Sequence, residues 1–438
     1  MWRDLLPVGR DARTGGYRRF AWNTADLECR AWFRAQAERR GLAYEIDRNG
    51  NQWAWYGGSP AAGDAAWTPA AARDAVVTGS HLDSVPDGGA YDGPLGVVSS
   101  FAALDLLVER GAAFHRPLAI VNFGDEEGAR FGVACVGSRL AAGVLTPEQA
   151  RDLRDADGTR LPDAMAAAGY DPERIGADPA LLDRIGCFVE LHVEQGRALV
   201  DRDAAVGVAS AIWPHGRWRF DFRGEANHAG TTRLEDRRDP MLTYATTVLA
   251  ARKKARLAGA VATFGKVAVE PNGTNAIASL VRGWLDSRAP EEEVLDTVVA
   301  EIARAARERA ERDGTAVDVV RESYTPIVEF AGGLRDRIAG HLGGVPVLPT
   351  GAGHDAGILS ATLPTAMVFV RNPTGVSHSP AESAEMSDCL AGVDALADVL
   401  ADLLADKPAD EPTGKTTGKT AGDTAAKPAH PIDKGTTA

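Results

Sequence analysis

From residue 75 onward, short apolar runs alternate with segments of helical period, and this alternation limits the fold more than any other feature of the chain. Ala75-Val76-Val77-Thr78 reads as a strand, 96–109 behind Pro94 as a helix, and 118–123 as a second strand. Further strands are expected at 187–193 and, far downstream, at 366–370. That order predicts α/β architecture, a mixed sheet flanked by helices. Over about 207–324 the order changes to strand (218–222), long helix (240–258), two strands (261–269 and 279–286) and helix (291–312), as in an inserted α+β domain. The domains expected are therefore 1–206 with 325–406, interrupted by 207–324. From about residue 407 the chain turns to Ala, Thr, Gly, Lys, Pro and Asp with no apolar period, which predicts a disordered tail over 407–438.

With 438 residues the chain exceeds the roughly 250–300 at which single cores stop growing, so more than one domain is expected. A formal charge of −13 repels polyanions, and no dense Lys/Arg stripe offers phosphate contacts, so nucleic acid is excluded as a partner. No run approaches the ~18 apolar residues of a membrane span, which excludes a membrane partner. The opening residues, Met1-Trp2-Arg3-Asp4-Leu5-Leu6, lack a secretory pattern, and the expected location is cytoplasmic. Cys29, Cys135, Cys187 and Cys389 are scattered and read as reduced core residues. Trp53-Ala54-Trp55-Tyr56 reads as a half-buried strand.

The chemistry lies where the strands end. Ser80-His81-Leu82-Asp83-Ser84 follows the first strand, placing His81 at its carboxyl end, where open α/β sheets bind ligands. Asp83 is spaced to accept the other ring N–H and fix the tautomer. Asp92 stands in the Gly-rich turn Gly88-Gly89-Ala90-Tyr91-Asp92-Gly93 before the helix. Asp125-Glu126-Glu127 follows the next strand, three carboxylates whose mutual repulsion a cation or a proton relieves. Neighbouring carboxylates suit a division in which one holds metal and the other moves protons. Glu190-Leu191-His192 and Ser377-His378-Ser379 each add a histidine at the end of an apolar run. Singly each is an ordinary structural residue; together they match the mixed N/O donors of a two-metal hydrolytic site.

With these motifs in this order, 15–405 resembles the aminoacylase/carboxypeptidase superfamily of two-metal hydrolases, specifically its hydantoinase/carbamoylase branch. The resemblance implies a metal-hydrolase core with a ferredoxin-like lid and dimerisation domain. It implies two divalent ions per subunit, zinc or manganese, with cobalt or nickel as alternatives. His81 and His192 would hold one ion, Glu127 and His378 the other, with Asp92 bridging and Glu126 as general base. A histidine at 192, where peptidase relatives carry a carboxylate, favours the carbamoylase branch. Gly224-Glu225-Ala226-Asn227-His228-Ala229-Gly230 matches the lid motif, whose histidine stabilises the transition state. Asn275 and Arg288 would bind the substrate carboxylate and Gln195 its ureido group. Gly351-Ala352-Gly353-His354-Asp355-Ala356 matches a segment near the site, while Ser287 departs from the aliphatic residue common in relatives. His115, His215, His341 and His430 read as ordinary polar residues.

The implied activity is hydrolysis of a C–N bond in a small ureido or carbamoyl carboxylate. Allantoate amidohydrolase is the first choice, releasing ammonia and carbon dioxide, with N-carbamoyl-L-amino-acid hydrolase or β-ureidopropionase as the alternative. An aminoacylase or dipeptidase and a non-catalytic metal-binding dimer are the remaining readings. The resemblance also implies a homodimer in which His228, Asn275 and Arg288 enter the partner's site.

Overall fold

The computed structural model describes residues 1–57 and 67–407, so the tail expected at 407–438 lies, beyond Lys407, outside the described residues. Among the described residues the main sheet has nine strands. Across the sheet they run Ala43–Ile46, Gln52–Tyr56, Leu118–Phe123, Ala75–His81, Ile185–Val193, Thr365–Val370, Val206–Ile212 and Val328–Glu329, with Val347–Thr350 also paired to Val206–Ile212. The four from Leu118–Phe123 to Thr365–Val370 are mutually parallel, so their carboxyl ends share one edge. The outer pairs are antiparallel except at Val347–Thr350, which makes the sheet mixed.

These central strands are buried on both faces and largely apolar because both faces are covered. Val76, Ile120, Leu191 and Val368 face one side, toward Phe33, Phe101, Leu396 and Leu400 of the helices Thr24–Arg39, Pro94–Glu109 and Met386–Leu404. Val77, Val121, Phe188, Met367 and Phe369 face the other, with Trp53, Trp55 and Leu359. Each large apolar side chain buried this way stabilises the fold by about 1.5–3 kcal/mol. Trp53 and Trp55, expected to be half exposed, are buried because their strand lies inside the sheet, against Leu118–Phe123.

A second, four-stranded antiparallel sheet is ordered Ala316–Thr325, His215–Arg223, Leu280–Arg288, Val261–Glu270. Helices Pro240–Ala258 and Glu292–Asp313 cover one face, where Phe220, Phe222, Val281, Leu285, Leu295 and Ile302 form a separate core. Pro240 opens the first helix behind Asp239, whose carboxylate accepts from the Met241 N–H. Gly259 and Gly314 end the two helices in the left-handed conformation that suits glycine. Residues 207–212, expected within the insertion, belong instead to the strand Val206–Ile212 of the main sheet; the second sheet begins at His215.

All four cysteines are free and buried. No helix among the described residues is long and apolar enough to cross a membrane.

Candidate active site

Four chain segments converge on the common edge of the parallel strands. His81 ends Ala75–His81, Asp125-Glu126-Glu127 follows Leu118–Phe123, His192 lies one residue before the end of Ile185–Val193, and His378 is in the loop after Thr365–Val370. Asp92 comes from the turn before Pro94–Glu109. That turn must pass close to His81: Gly93 has φ +81°, and a Cβ there would lie 2.5 Å from both ring nitrogens of His81. Glu382 holds the turn from the other side, its Oε2 accepting from the Tyr91 and Asp92 N–H groups at 2.9 and 3.1 Å.

Each histidine presents one nitrogen to the centre. The Nδ1 of His81 is 3.2 Å from the Asp83 carbonyl and 3.4 Å from its Oδ1, so Nε2 faces Asp92 and Glu126, at 3.8 and 3.7 Å. The Nδ1–H of His192 donates to the Val193 carbonyl at 2.9 Å, leaving a lone pair on Nε2 directed at Asp92 Oδ1, 3.2 Å away. His378 Nε2 lies 3.4 Å from Asp92 Oδ2 and 3.6 Å from Glu127 Oε2. The result is two groups, His81-Asp92-His192 and Asp92-Glu127-His378, each able to hold a metal ion and sharing Asp92. A third, Glu190-His192-His354, overlaps the first. There Glu190 is already engaged, accepting from Ser80 Oγ and the Ala356 N–H.

Whether a cation fits is decided by the His192–Asp92 contact. With Nδ1–H spent on a carbonyl, the neutral ring's Nε2 and Oδ1 are two acceptors facing each other, and Nε2 is buried without a hydrogen-bond donor. A cation between them resolves that conflict, as a second proton on the His192 ring also would, since against the effect of burial the Asp92 carboxylate raises the pKa of His192. The carboxylates point the same way. Burial, then the charge of Asp92, pushes Glu127 up to about 7, and burial above all raises Glu126 far above the ordinary range. Mixed imidazole and carboxylate donors suit zinc, manganese, cobalt or nickel.

Asp83 secures the surrounding backbone, its two oxygens accepting from the Glu126 and Glu127 N–H groups at 3.2 and 3.0 Å. Glu126 stands beside both metal-binding groups without belonging to either. Gln195 Nε2 donates to Asp92 Oδ2 at 2.9 Å, and its Oε1 is buried without a partner.

The site opens into a cleft of about 590 Å³ whose far wall is the uncovered face of the second sheet. Alternation along Leu280–Arg288 buries Val281, Gly283, Leu285 and Ser287 and turns Asp286 and Arg288 the other way. Arg288 lines this chain's own cleft, which corrects the expectation that it enters a partner's. Its guanidinium is clamped on Asp286, Nε–Oδ1 at 2.8 Å and Nη2–Oδ2 at 3.1 Å, and Nη1 donates to the Gly351 carbonyl. His228 and Asn275 are not brought there. They sit together on an exposed ledge, with the Ala229 N–H bonded to the Asn275 carbonyl and His228 Nδ1 accepting from the Gly230 and Thr231 N–H groups.

Several participants were not anticipated. His215, read as an ordinary polar residue, lines the cleft beside Arg217, which touches Asp286 only at 3.6 Å. Ser377 Oγ donates to Asp92 Oδ2 at 3.1 Å, and its place next to His378 was the available signal. Cys135 lies against Glu126, a meeting that no spacing announces.

Paired donor groups around a shared carboxylate, with a free carboxylate alongside, are the arrangement a metal-dependent hydrolase uses. Residues 77–402 match the family described as Peptidase family M20/M25/M40. The chain is 36% identical over 407 residues to the N-carbamoyl-L-amino acid amidohydrolase of Geobacillus stearothermophilus, covering 90% of this chain and 96% of that protein. It is 31% identical to the allantoate amidohydrolase of Escherichia coli K12, covering 90% and 94%. A solved structure of a hydantoinase/carbamoylase family amidase from Burkholderia vietnamiensis superposes with a TM-score of 0.81 at 28% identity, covering 93% of this chain and 96% of that one. The chain belongs to peptidase family M20/M25/M40, in its hydantoinase/carbamoylase branch, and is a metal-dependent amidohydrolase.

Proposed function

We propose that the chain hydrolyses a C–N bond of a small ureido or carbamoyl carboxylate with two divalent ions, zinc or manganese, in each subunit. The observation that carries this reading is the pair of donor groups sharing Asp92, with Glu126 left over. His81, His192 and Asp92 would hold one ion, and Glu127, His378 and Asp92 the other. Such ions lower the pKa of water and polarise the carbonyl to be attacked. Glu126 takes the proton released as water adds to the carbamoyl carbon and returns it to the departing nitrogen. Asp83 keeps His81 in the tautomer that offers Nε2 to the centre. The cationic wall, Arg288 with Arg217, orients the substrate carboxylate, and Gln195 is within the cleft to meet the ureido group.

His228 and Asn275 would complete the site of a second subunit in a homodimer, His228 meeting the negative charge of the tetrahedral intermediate. Their exposure beyond their own cleft supports that reading. Allantoate is the substrate expected from the motifs. The 36% identity to an N-carbamoyl-L-amino acid amidohydrolase supports N-carbamoyl-L-amino acids as the second reading.

A panel of allantoate, N-carbamoyl-L-amino acids, N-carbamoyl-β-alanine, N-acetyl amino acids and dipeptides, assayed with added zinc or manganese, tests the proposal. Ammonia release from a ureido or carbamoyl substrate is expected. Turnover confined to acetylated amino acids or dipeptides overturns it.

A further inference from the structure

Cys135 is buried, 3% exposed, and its thiol donates to Glu126 Oε1 at 3.3 Å. The contact is constructed from the backbone outward. Cys135 has φ +57°, a conformation costly for a residue with a Cβ, and its own N–H donates to the Glu126 carbonyl at 2.6 Å. Its carbonyl accepts from the Arg139 N–H at 2.9 Å, fixing the start of the helix Val136–Ala141. Cys135 is therefore tied to Glu126 at main chain and side chain together. The thiol occupies Oε1, while Oε2 faces His81 Nε2 at 3.7 Å.

We propose that Cys135 is a positioning residue for Glu126: its S–H holds Oε1, so that Oε2 is the oxygen presented to the reacting atoms. This rests on the reading of Glu126 as the proton carrier. A carboxylate with one oxygen anchored is restricted to one orientation, and orientation of the reacting groups is worth a large share of a hydrolytic barrier. An aliphatic residue at 135 leaves Oε1 buried without a donor and the carboxylate free to turn. A hydroxyl keeps the donor, though on a shorter arm.

The test compares wild type, Cys135→Ala, Cys135→Ser and Glu126→Gln, all loaded with zinc or manganese. Turnover is followed on allantoate and N-carbamoyl-L-methionine, and the infrared S–H band is recorded independently of activity. Cys135→Ala is expected to lose about tenfold in kcat as Glu126 loses its fixed orientation, with KM and metal content within twofold. Cys135→Ser recovers most of that loss. The S–H band that disappears in Cys135→Ala lies below that of Cys29 and moves up in Glu126→Gln. A band coincident with that of Cys29, or a Cys135→Ala enzyme with wild-type kcat while Glu126→Gln is inactive, overturns the role of the thiol alone. Turnover by Glu126→Gln overturns the role of Glu126, and this proposal with it.

Discussion

Replacing Gly93 by alanine isolates how closely the Asp92 turn is fitted to His81. A Cβ at 93 would stand 2.5 Å from Nδ1 and Nε2 of His81, where ordinary carbon contacts are ~3.5–4.0 Å. The ring must retreat by about 1 Å, and a 1 Å misplacement near reacting groups costs about 10²-fold in rate. Because the imidazole backs onto Asp83, the displacement falls on the nitrogen that faces Asp92. The dihedral adds a separate cost: φ +81° strains a residue with a Cβ by about 1–3 kcal/mol. Gly111→Ala separates the two effects, since Gly111 has φ +65° and nothing within 4 Å of its would-be Cβ. Both variants should lose urea stability, and only Gly93→Ala should lose metal on dialysis and fall about 100-fold in kcat. A Gly93→Ala enzyme that keeps its metal and turns over within twofold of wild type would refute the reasoning.

Glu126→Gln should abolish turnover while elemental analysis still finds the metal of the wild type, because the amide keeps the shape but takes no proton. Mixing inactive Glu126→Gln and His228→Ala chains and allowing subunit exchange should restore about a quarter of wild-type activity, since half the dimers are mixed and each has one intact site; silence after confirmed exchange rules out a shared site. Arg30→Met should lower stability by about 3–5 kcal/mol in urea titration by leaving Asp26 buried and unpaired, because the two are 2.9 Å apart with almost no solvent access. The double change Asp26→Asn with Arg30→Met should recover part of that loss, and no recovery would place the cost elsewhere.

What the sequence made legible follows from where its signal is local. Leu118 to Phe123 is buried at every position, and apolar at all but Asn122, because both faces of its strand are covered, and the read bounds coincide with the strand. The helix Pro240–Ala258 was equally plain, bracketed by Asp239-Pro240 and Gly259. Which sheet a strand joins is not a local property, and so 207–212 falls within the expected insertion although the strand Val206–Ile212 pairs with Thr365–Val370. The same limit applies to the site. As candidates, His81, Asp92, Glu126, Glu127, His192 and His378 are legible because each lies at or just after the end of a strand or, for Asp92, in the Gly-rich turn before a helix. His215 and Arg217 carry no such mark: they face the cleft only because the open side of one sheet is set against the edge of another. Cys135 is hidden for a related reason, its contact depending on a left-handed residue that a sequence does not advertise.

The place of Thr365–Val370 within the main sheet governs how the chain must be assembled. It lies between Ile185–Val193 and Val206–Ile212, so a strand from late in the chain fills a gap bounded by strands made some 160 residues earlier. While the polypeptide is emerging from the ribosome, the edge of Ile185–Val193 that Thr365–Val370 will cover has no native partner until residue 370 has emerged. The nascent chain is most exposed to edge pairing with other chains during that interval, and the same strand that ends it leads into the loop bearing His378. Closure of the sheet and delivery of the last histidine to the centre are thus one event, and a chain cut short before residue 365 is left with an open edge as well as an incomplete site.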